Sequence, residues 1–349
     1  MRMGPHDAFF RHVPALDLVR LSQTCRLLRD LVRDICFNVS RLLSPFFGDN
    51  VDRFREIQAD TATLVSGSAG LQFFNREIWP DSDLDVYAHR GSARAPALFL
   101  ASIGYAFEPR ASQDADLRKQ LGASERDREP SYLGRGIADV LDFTKGDRKI
   151  QLIIAVSTPM EVILSFHSTV VMNILTHDHA YCLYPRSTFI YKNAVIIETV
   201  GAGQEDGRQK YIDRGWEMIK APPMSVLASR GSELSIRAGT RWAGDTFTWT
   251  IPLRARRTAG ISATPDLCPL NSWLLEYNGR LRAKTKWAFL ETTQLRFKYT
   301  IADRTALEEE WVAVRGASTS RYVDAELCNA LVLRRRIREH QDSKDYAVL

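Results

Sequence analysis

The chain has 349 residues, 45% of them apolar, which is enough for two or three packed domains. Its formal charge of +5 at pH 7 is mild, so contact with nucleic acid or acidic partners is permitted but not indicated. Five scattered cysteines without a Cys-x-x-Cys pair exclude a zinc ribbon and a disulfide framework, no apolar run reaches the length of a membrane span, and a start broken by His6, Asp7, Arg11 and Asp17 does not read as a signal peptide.

Residues 6–60 read as helical. Phe9, Phe10, Val13, Leu16, Val19, Leu21, Leu27, Leu28, Leu31 and Val32 recur at helical spacings, with Arg and Asp between them. Pro14 breaks the first helix, and Asp17 is placed to cap the next. Within this stretch, FFRHVPALDLVRLSQTCRLLRDLV (residues 9–32) resembles an F-box. Pro14, Asp17, Leu18, Leu21, Ser22, Cys25, Arg26 and Arg29 stand where that family's pattern has them, although MGPHDAFF replaces the usual opening Leu-Pro-x-Glu. The resemblance implies docking to the Skp-type adaptor of a cullin ubiquitin ligase, with Leu18 and Leu21 on the contacting apolar face. The alternative is a helical hairpin that only packs on the next domain.

From Thr61 the pattern changes to mixed α/β. Short apolar strands (ATLVSG, LDVYA, DVLDF, KIQLIIAV) alternate with helical stretches (APALFLASIGY, MEVILSFHSTVVMNIL). The charged run EPRASQDADLRKQLGASERDREPSY reads as an exposed excursion. Residues 206–221 read as one amphipathic helix ended by Pro222 and Pro223.

The strand ATLV leads into Ser66-Gly67-Ser68 and a helix-like stretch. Gly67 allows close backbone approach, and the helix start offers N–H groups to a phosphate. Further on, Asp83 and Asp85 are two residues apart, so on a strand they share a face while Leu84 and Val86 turn to the core. Paired carboxylates beside a phosphate cradle are what Mg²⁺ needs, since it takes hard oxygen ligands. Together these motifs resemble the DNA-polymerase-beta-like nucleotidyltransferase superfamily, over residues 61 to about 220. The resemblance implies Mg²⁺ on Asp83 and Asp85 and a nucleoside triphosphate at Gly67 and Ser68. It also implies a supporting role for Asn173, because FHSTVVMNIL keeps a Thr/Ser-to-Asn arrangement through Ser168, Thr169 and Asn173. Taken alone, PDSDLD would read as a solvated turn.

Active members of that superfamily carry a third carboxylate on a neighbouring strand, and Gln151 stands at the matching place. An amide is no general base and a poorer Mg²⁺ ligand. If Gly146-Asp147 is the two-residue turn of a hairpin, Asp142 lies opposite Gln151. Asp142 is then a displaced third acid, or an exposed residue with Gln151 making a structural hydrogen bond; the second reading is favoured.

Other signals are weaker. His177-Asp178-His179 reads as an exposed loop rather than a metal site. His167 and Ser168 are adjacent in a predicted helix and so do not face each other. Arg208, Lys210, Arg214 and Lys220 could approach a phosphate, but a solvated basic face explains them as well. A charged terminal helix accounts for Arg334, Arg335 and Arg336. The last third alternates apolar and polar residues with Gly turns, which predicts antiparallel strands, with Trp242, Trp249, Trp273 and Trp287 in their sheet.

The expected architecture is α+β in three parts: an F-box-like helical segment (6–60), a nucleotidyltransferase-like core (61–225) and a β-rich region ending in helices (226–349). The combination is also similar to fungal proteins of this mixed type. The expected function is an F-box adaptor whose partly degenerate core recognises a partner or a nucleotide. The alternative is an active Mg²⁺-dependent nucleotidyltransferase acting on an RNA, a protein or a small molecule. A reduced intracellular compartment, cytoplasmic or nuclear, is expected.

Overall fold

The computed structural model describes residues 10, 13–124, 136–198, 203–222, 236, 238–253, 264–303, 308–318 and 320–346. Phe9, Pro223, the side chains of Leu16 and Val19, and residues 125–135 of the charged excursion lie outside them.

The N-terminal segment is helical. Helix Ala15–Thr24 starts at Pro14, whose φ of −56° suits a helix entry, and Asp17 sits in the first turn, paired with Arg20 at 3.0 Å. Cys25 is extended and starts helix Arg26–Leu31, accepting from the Leu28 N–H through Sγ. A π-helical turn, Val32–Cys36, leads to helices Val39–Phe47 and Val51–Thr61. Phe10, Leu18, Val32, Phe37, Leu43, Phe47 and Phe54 are all buried. They join the same apolar cluster as Val65, Phe74, Leu84 and Leu152, so this segment shares its core with the sheet.

That sheet has eight strands. Seven follow in chain order: β1 (Leu64–Ser66), β2 (Leu84–His89), β3 (Ala106–Glu108), β4 (Ile137–Lys145), β5 (Arg148–Ala155), β6 (Asn173–Leu175) and β7 (His179–Cys182). The eighth, Trp249–Pro252, comes from the last third of the chain. The spatial order runs from that strand through β7, β6, β1, β2, β5 and β4 to β3. Only β2 and β5 pair in parallel. Trp249 therefore packs in the main core, 5.3 Å from Phe37 and 5.1 Å from Phe74, and not in the C-terminal sheet as expected. Helix Gly67–Asn75 leaves β1 and lies against the sheet with all but its last residue buried.

Three sequence expectations change. The stretch 160–175 is no continuous helix: Pro159–Leu164 is one short helix, Ser168 bridges to Ile196, and Asn173 begins β6. Between them Thr169–Val171 make only a single 3₁₀ turn. Residues 206–221 are no single helix either. Gln204–Ile212 ends before Gly215, whose φ of +92° an L residue rarely adopts, and Glu217–Ile219 then pairs in parallel with Asn193–Val195. The charged excursion is partly packed: it carries helix Leu117–Ser124, with Leu121 fully buried.

Beyond the main sheet, Gly239–Trp242, Ser272–Tyr277 and Ala283–Lys286 form a three-stranded sheet, and Ala288–Leu290 pairs with Tyr299–Ile301. Helices Glu308–Ala317 and Asp324–Tyr346 follow. No described helix is long and apolar enough to cross a membrane.

Helix Gly67–Asn75 approaches the sheet closely at Gly70, where an added Cβ would lie 2.5 Å from the Asn173 carbonyl oxygen. Gly70→Ala should therefore destabilise the chain by about 1–3 kcal/mol. Gly122→Ala, in a helix with open space at that position, should be neutral or stabilise by about 0.5–1 kcal/mol. Urea denaturation of both variants against the wild type checks the contrast.

Candidate functional site

At the end of β1 the chain turns through Gly67, whose φ is +67°. A Cβ there would lie 2.7 Å from Asp85 Oδ2 and 3.6 Å from the Tyr87 hydroxyl. Glycine is thus needed twice, for the backbone and for the space that the carboxylate fills. Ser66 pairs with Asp85 across β1 and β2, and Ser68 is buried in the first helical turn.

Strand register then builds a grid on one face. Asp85 pairs with Gln151 on β5, and Gln151 pairs with Asp142 on β4. The hairpin turns at Gly146 and Asp147, with Lys145 opposite Arg148. Two residues away, Lys149 pairs with Thr144 across β5 and β4, and Asp83 lies near Lys149. Asp83 itself lies just before β2, and its side chain is 42% exposed.

Asp142 is not an exposed residue: its side chain is only 13% exposed. Gln151 donates to its Oδ1 at 2.6 Å, and Arg110 Nε donates to Oδ2 at 2.8 Å. Burial alone would raise this carboxyl, but the donors outweigh it and hold it below its ordinary value. Lys149 Nζ lies 3.4 Å from Asp142 Oδ1 and 3.8 Å from Asp83 Oδ2. Asp85 differs. It makes no hydrogen bond to a described residue, and burial, reinforced by Asp83, pushes its pKa up to about 7 against the pull of Lys210 and Lys149.

These donors do not fit a pair of Mg²⁺ ions. Gln151 offers no third carboxylate, Asp142 is held by a guanidinium and an amide, and an ammonium stands between the acids. Among the described residues no group of three or more His, Cys, Asp and Glu side chains is arranged to hold a metal ion.

Asn173 is fully buried on β6, where its amide donates to the Val170 carbonyl and its own carbonyl accepts from Ser66 Oγ. It therefore supports the back of helix Gly67–Asn75. Of the basic residues singled out, Lys210 is the one whose charge Asp85 senses. Burial, with Arg214 beside it, lowers its pKa, and Asp85 and Asp83 oppose that shift. Arg214 stacks on Trp79, 3.7 Å from the ring centroid, Arg208 pairs with Glu205, and Lys220 is exposed. Arg335 packs over Trp242 and donates to the Pro269 carbonyl.

Two further groupings differ from expectation. His167 and Ser168 do meet, with Ser168 Oγ 2.8 Å from Nδ1, because the chain there is extended. Ser168 is fully buried, which closes it to a substrate. His177-Asp178-His179 is no exposed loop. His179 Nδ1 lies 3.1 Å from Asp178 and 3.4 Å from Asp266, and His177 Nε2 contacts the Thr264 carbonyl. Burial would lower the His179 pKa, but the two carboxylates raise it to about 9. Asp266 also accepts from Thr176 and Tyr181. Nothing in PDLCP marks Asp266 in the sequence, and Lys149 and Arg110 were missed for the same reason: a lone charge in a polar context carries no spacing signal.

Compared with known proteins, residues 9–40 match the F-box domain. No curated protein and no solved structure matches the chain.

Asp85 gives a pH signature. Its folded pKa, about 7, exceeds the ordinary 3.8, so its contribution is fully present below 3.8 and is lost as pH rises to about 7. Asp85→Asn, which keeps the neutral shape, should raise the melting temperature more at pH 8 than at pH 5, with no further change above pH 8. Thermal melts across that range read it directly.

Proposed function

We propose that the chain is an F-box adaptor: residues 9–40 dock a Skp-type adaptor of a cullin ubiquitin ligase, and the α/β core recognises a partner or a nucleotide without chemistry. The F-box match carries this reading. It coincides with a helical hairpin whose inner side chains Leu18 and Val32 are buried, while Cys25, Arg26, Leu27 and Arg29 stay exposed. Leu18 is 0% exposed and Leu21 is half-buried, so the adaptor-facing edge in this proposal is the exposed one rather than those two leucines. An intracellular location goes with this role.

The core belongs to the same proposal as a degenerate nucleotidyltransferase-like fold. Its support is the left-handed Gly67 before a buried helix, with the Asp85 carboxylate against it and Asp83 close by. Gln151 and the guanidinium on Asp142 speak against turnover. The same Gly67–Asp85 contact is what favours the second reading, an active nucleotidyltransferase. Transfer of label from a nucleoside triphosphate to RNA or protein, abolished by Asp83→Ala, would establish that reading instead.

The full-length chain should recover a purified Skp-type adaptor in a pull-down. An Arg26→Glu, Leu27→Asp double variant should bind about tenfold more weakly or less, with an unchanged melting temperature because both side chains are exposed. Equal recovery of variant and wild type, or recovery of neither, would remove the adaptor role.

A further inference from the structure

We propose that Lys149 is a built-in cation standing where a metal ion would sit, which makes the core metal-independent and leaves a divalent-cation site latent beneath it. This deepens the non-catalytic reading of the core, and its test is separate from adaptor docking.

The argument rests on the grid. Asp83 and Asp85 from the β2 side and Asp142 from β4 lie on one face, with Glu108 of β3 opposite Asp142. Between them lies β5, which presents Lys149 and Gln151 two residues apart on that face. Both are donors. Gln151 fastens Asp142 at 2.6 Å, and Lys149 spans Asp142 and Asp83 at 3.4 and 3.8 Å. An ammonium bridging two carboxylates supplies the positive charge a bound cation would supply, with contacts longer than the 2.0–2.6 Å of a metal–oxygen bond. It also repels an arriving divalent ion. Arg110, on the far side of Asp142, completes the neutralisation from the segment after β3.

The charge balance points the same way. Among the described residues, Lys149 lies between Asp83 and Asp142, and Arg110 holds the other oxygen of Asp142. A metal-binding cluster would leave negative charge for the ion to balance. This face carries neutralising side chains of its own.

The site is latent because Lys149 contributes none of its carboxylates: Asp85 stays against Gly67 and Asp83 stays on the β2 side. Lys149 is 39% exposed, so its replacement should leave the fold standing, which a thermal melt verifies. The full-length protein is titrated with Mn²⁺, and the free ion is followed by its electron paramagnetic resonance signal. The wild type should show no saturable binding that depends on Asp83. Lys149→Met should bind Mn²⁺ saturably, at least about tenfold more tightly than any wild-type binding, and adding Asp83→Ala should abolish the gain. Lys149→Gln serves if Lys149→Met does not fold. Saturable wild-type binding abolished by Asp83→Ala would overturn the proposal, as would a folded Lys149 variant that binds no more tightly than the wild type.

Discussion

Helix Gly67–Asn75 has to lie almost in contact with the sheet, and much of the molecule is arranged around that constraint. Gly70 has no side chain because the Asn173 carbonyl is already there, and Gly67 has none because Asp85 fills its place. Phe73 and Phe74 close the helix's other side against Phe37, Phe189 and Trp249. Those contacts draw in the F-box segment and the strand Trp249–Pro252, which are distant in sequence. Arg76, just past the helix end, donates to the carbonyls of Phe10 and Val13. One nine-residue helix thus joins three regions into a shared core.

The carboxylate face shows how a protein keeps acids together without a metal. Unpaired buried charge costs several kcal/mol, whereas an exposed ion pair contributes little, about 0–1 kcal/mol. The partly exposed Lys149 pairs therefore matter less as a source of stability than as neutralising charge. Asp142 is the most strongly held acid and lies below its ordinary pKa. Asp85 has no hydrogen-bond donor among the described residues and responds the other way, gaining a proton near neutrality. Two acids on one face, separated by one strand, end in opposite states because only one of them meets Arg110 and Gln151.

Local chemistry was legible in the sequence where period and turn agreed. The Gly146-Asp147 turn fixed the hairpin register, so Asp142 could be set opposite Gln151 by counting. The Pro14-to-Arg29 pattern marked the F-box. Long-range placement was not legible. Helical spacing across residues 160–175 misled because the same apolar residues also suit a buried strand, and the tertiary partners Ile196 and Leu64–Ser66 decided between them. Lys149, Arg110 and Asp266 act through partners 32 to 90 residues away or through cross-strand neighbours, and no local pattern encodes such pairs. The charged excursion looked solvated, yet Gln113 and Gln120 each donate to Asp139 at 2.7 Å and seat it against β4.

The position of the F-box relative to the candidate site has a mechanical consequence for the proposed function. The carboxylate face adjoins the N-terminal end of helix Gly67–Asn75, while Arg76 grips the F-box segment beyond the C-terminal end. At 1.5 Å per residue those ends are about 14 Å apart. The helix between them is buried and packed on both sides. In the proposed function, a partner at the acid face and an adaptor on the F-box segment would approach from different ends of this helix. The F-box segment and the sheet share one core, with no separate linker between them. That arrangement suits a scaffold that must hold a target in a fixed place beside an assembly, and it does not require the core to perform chemistry.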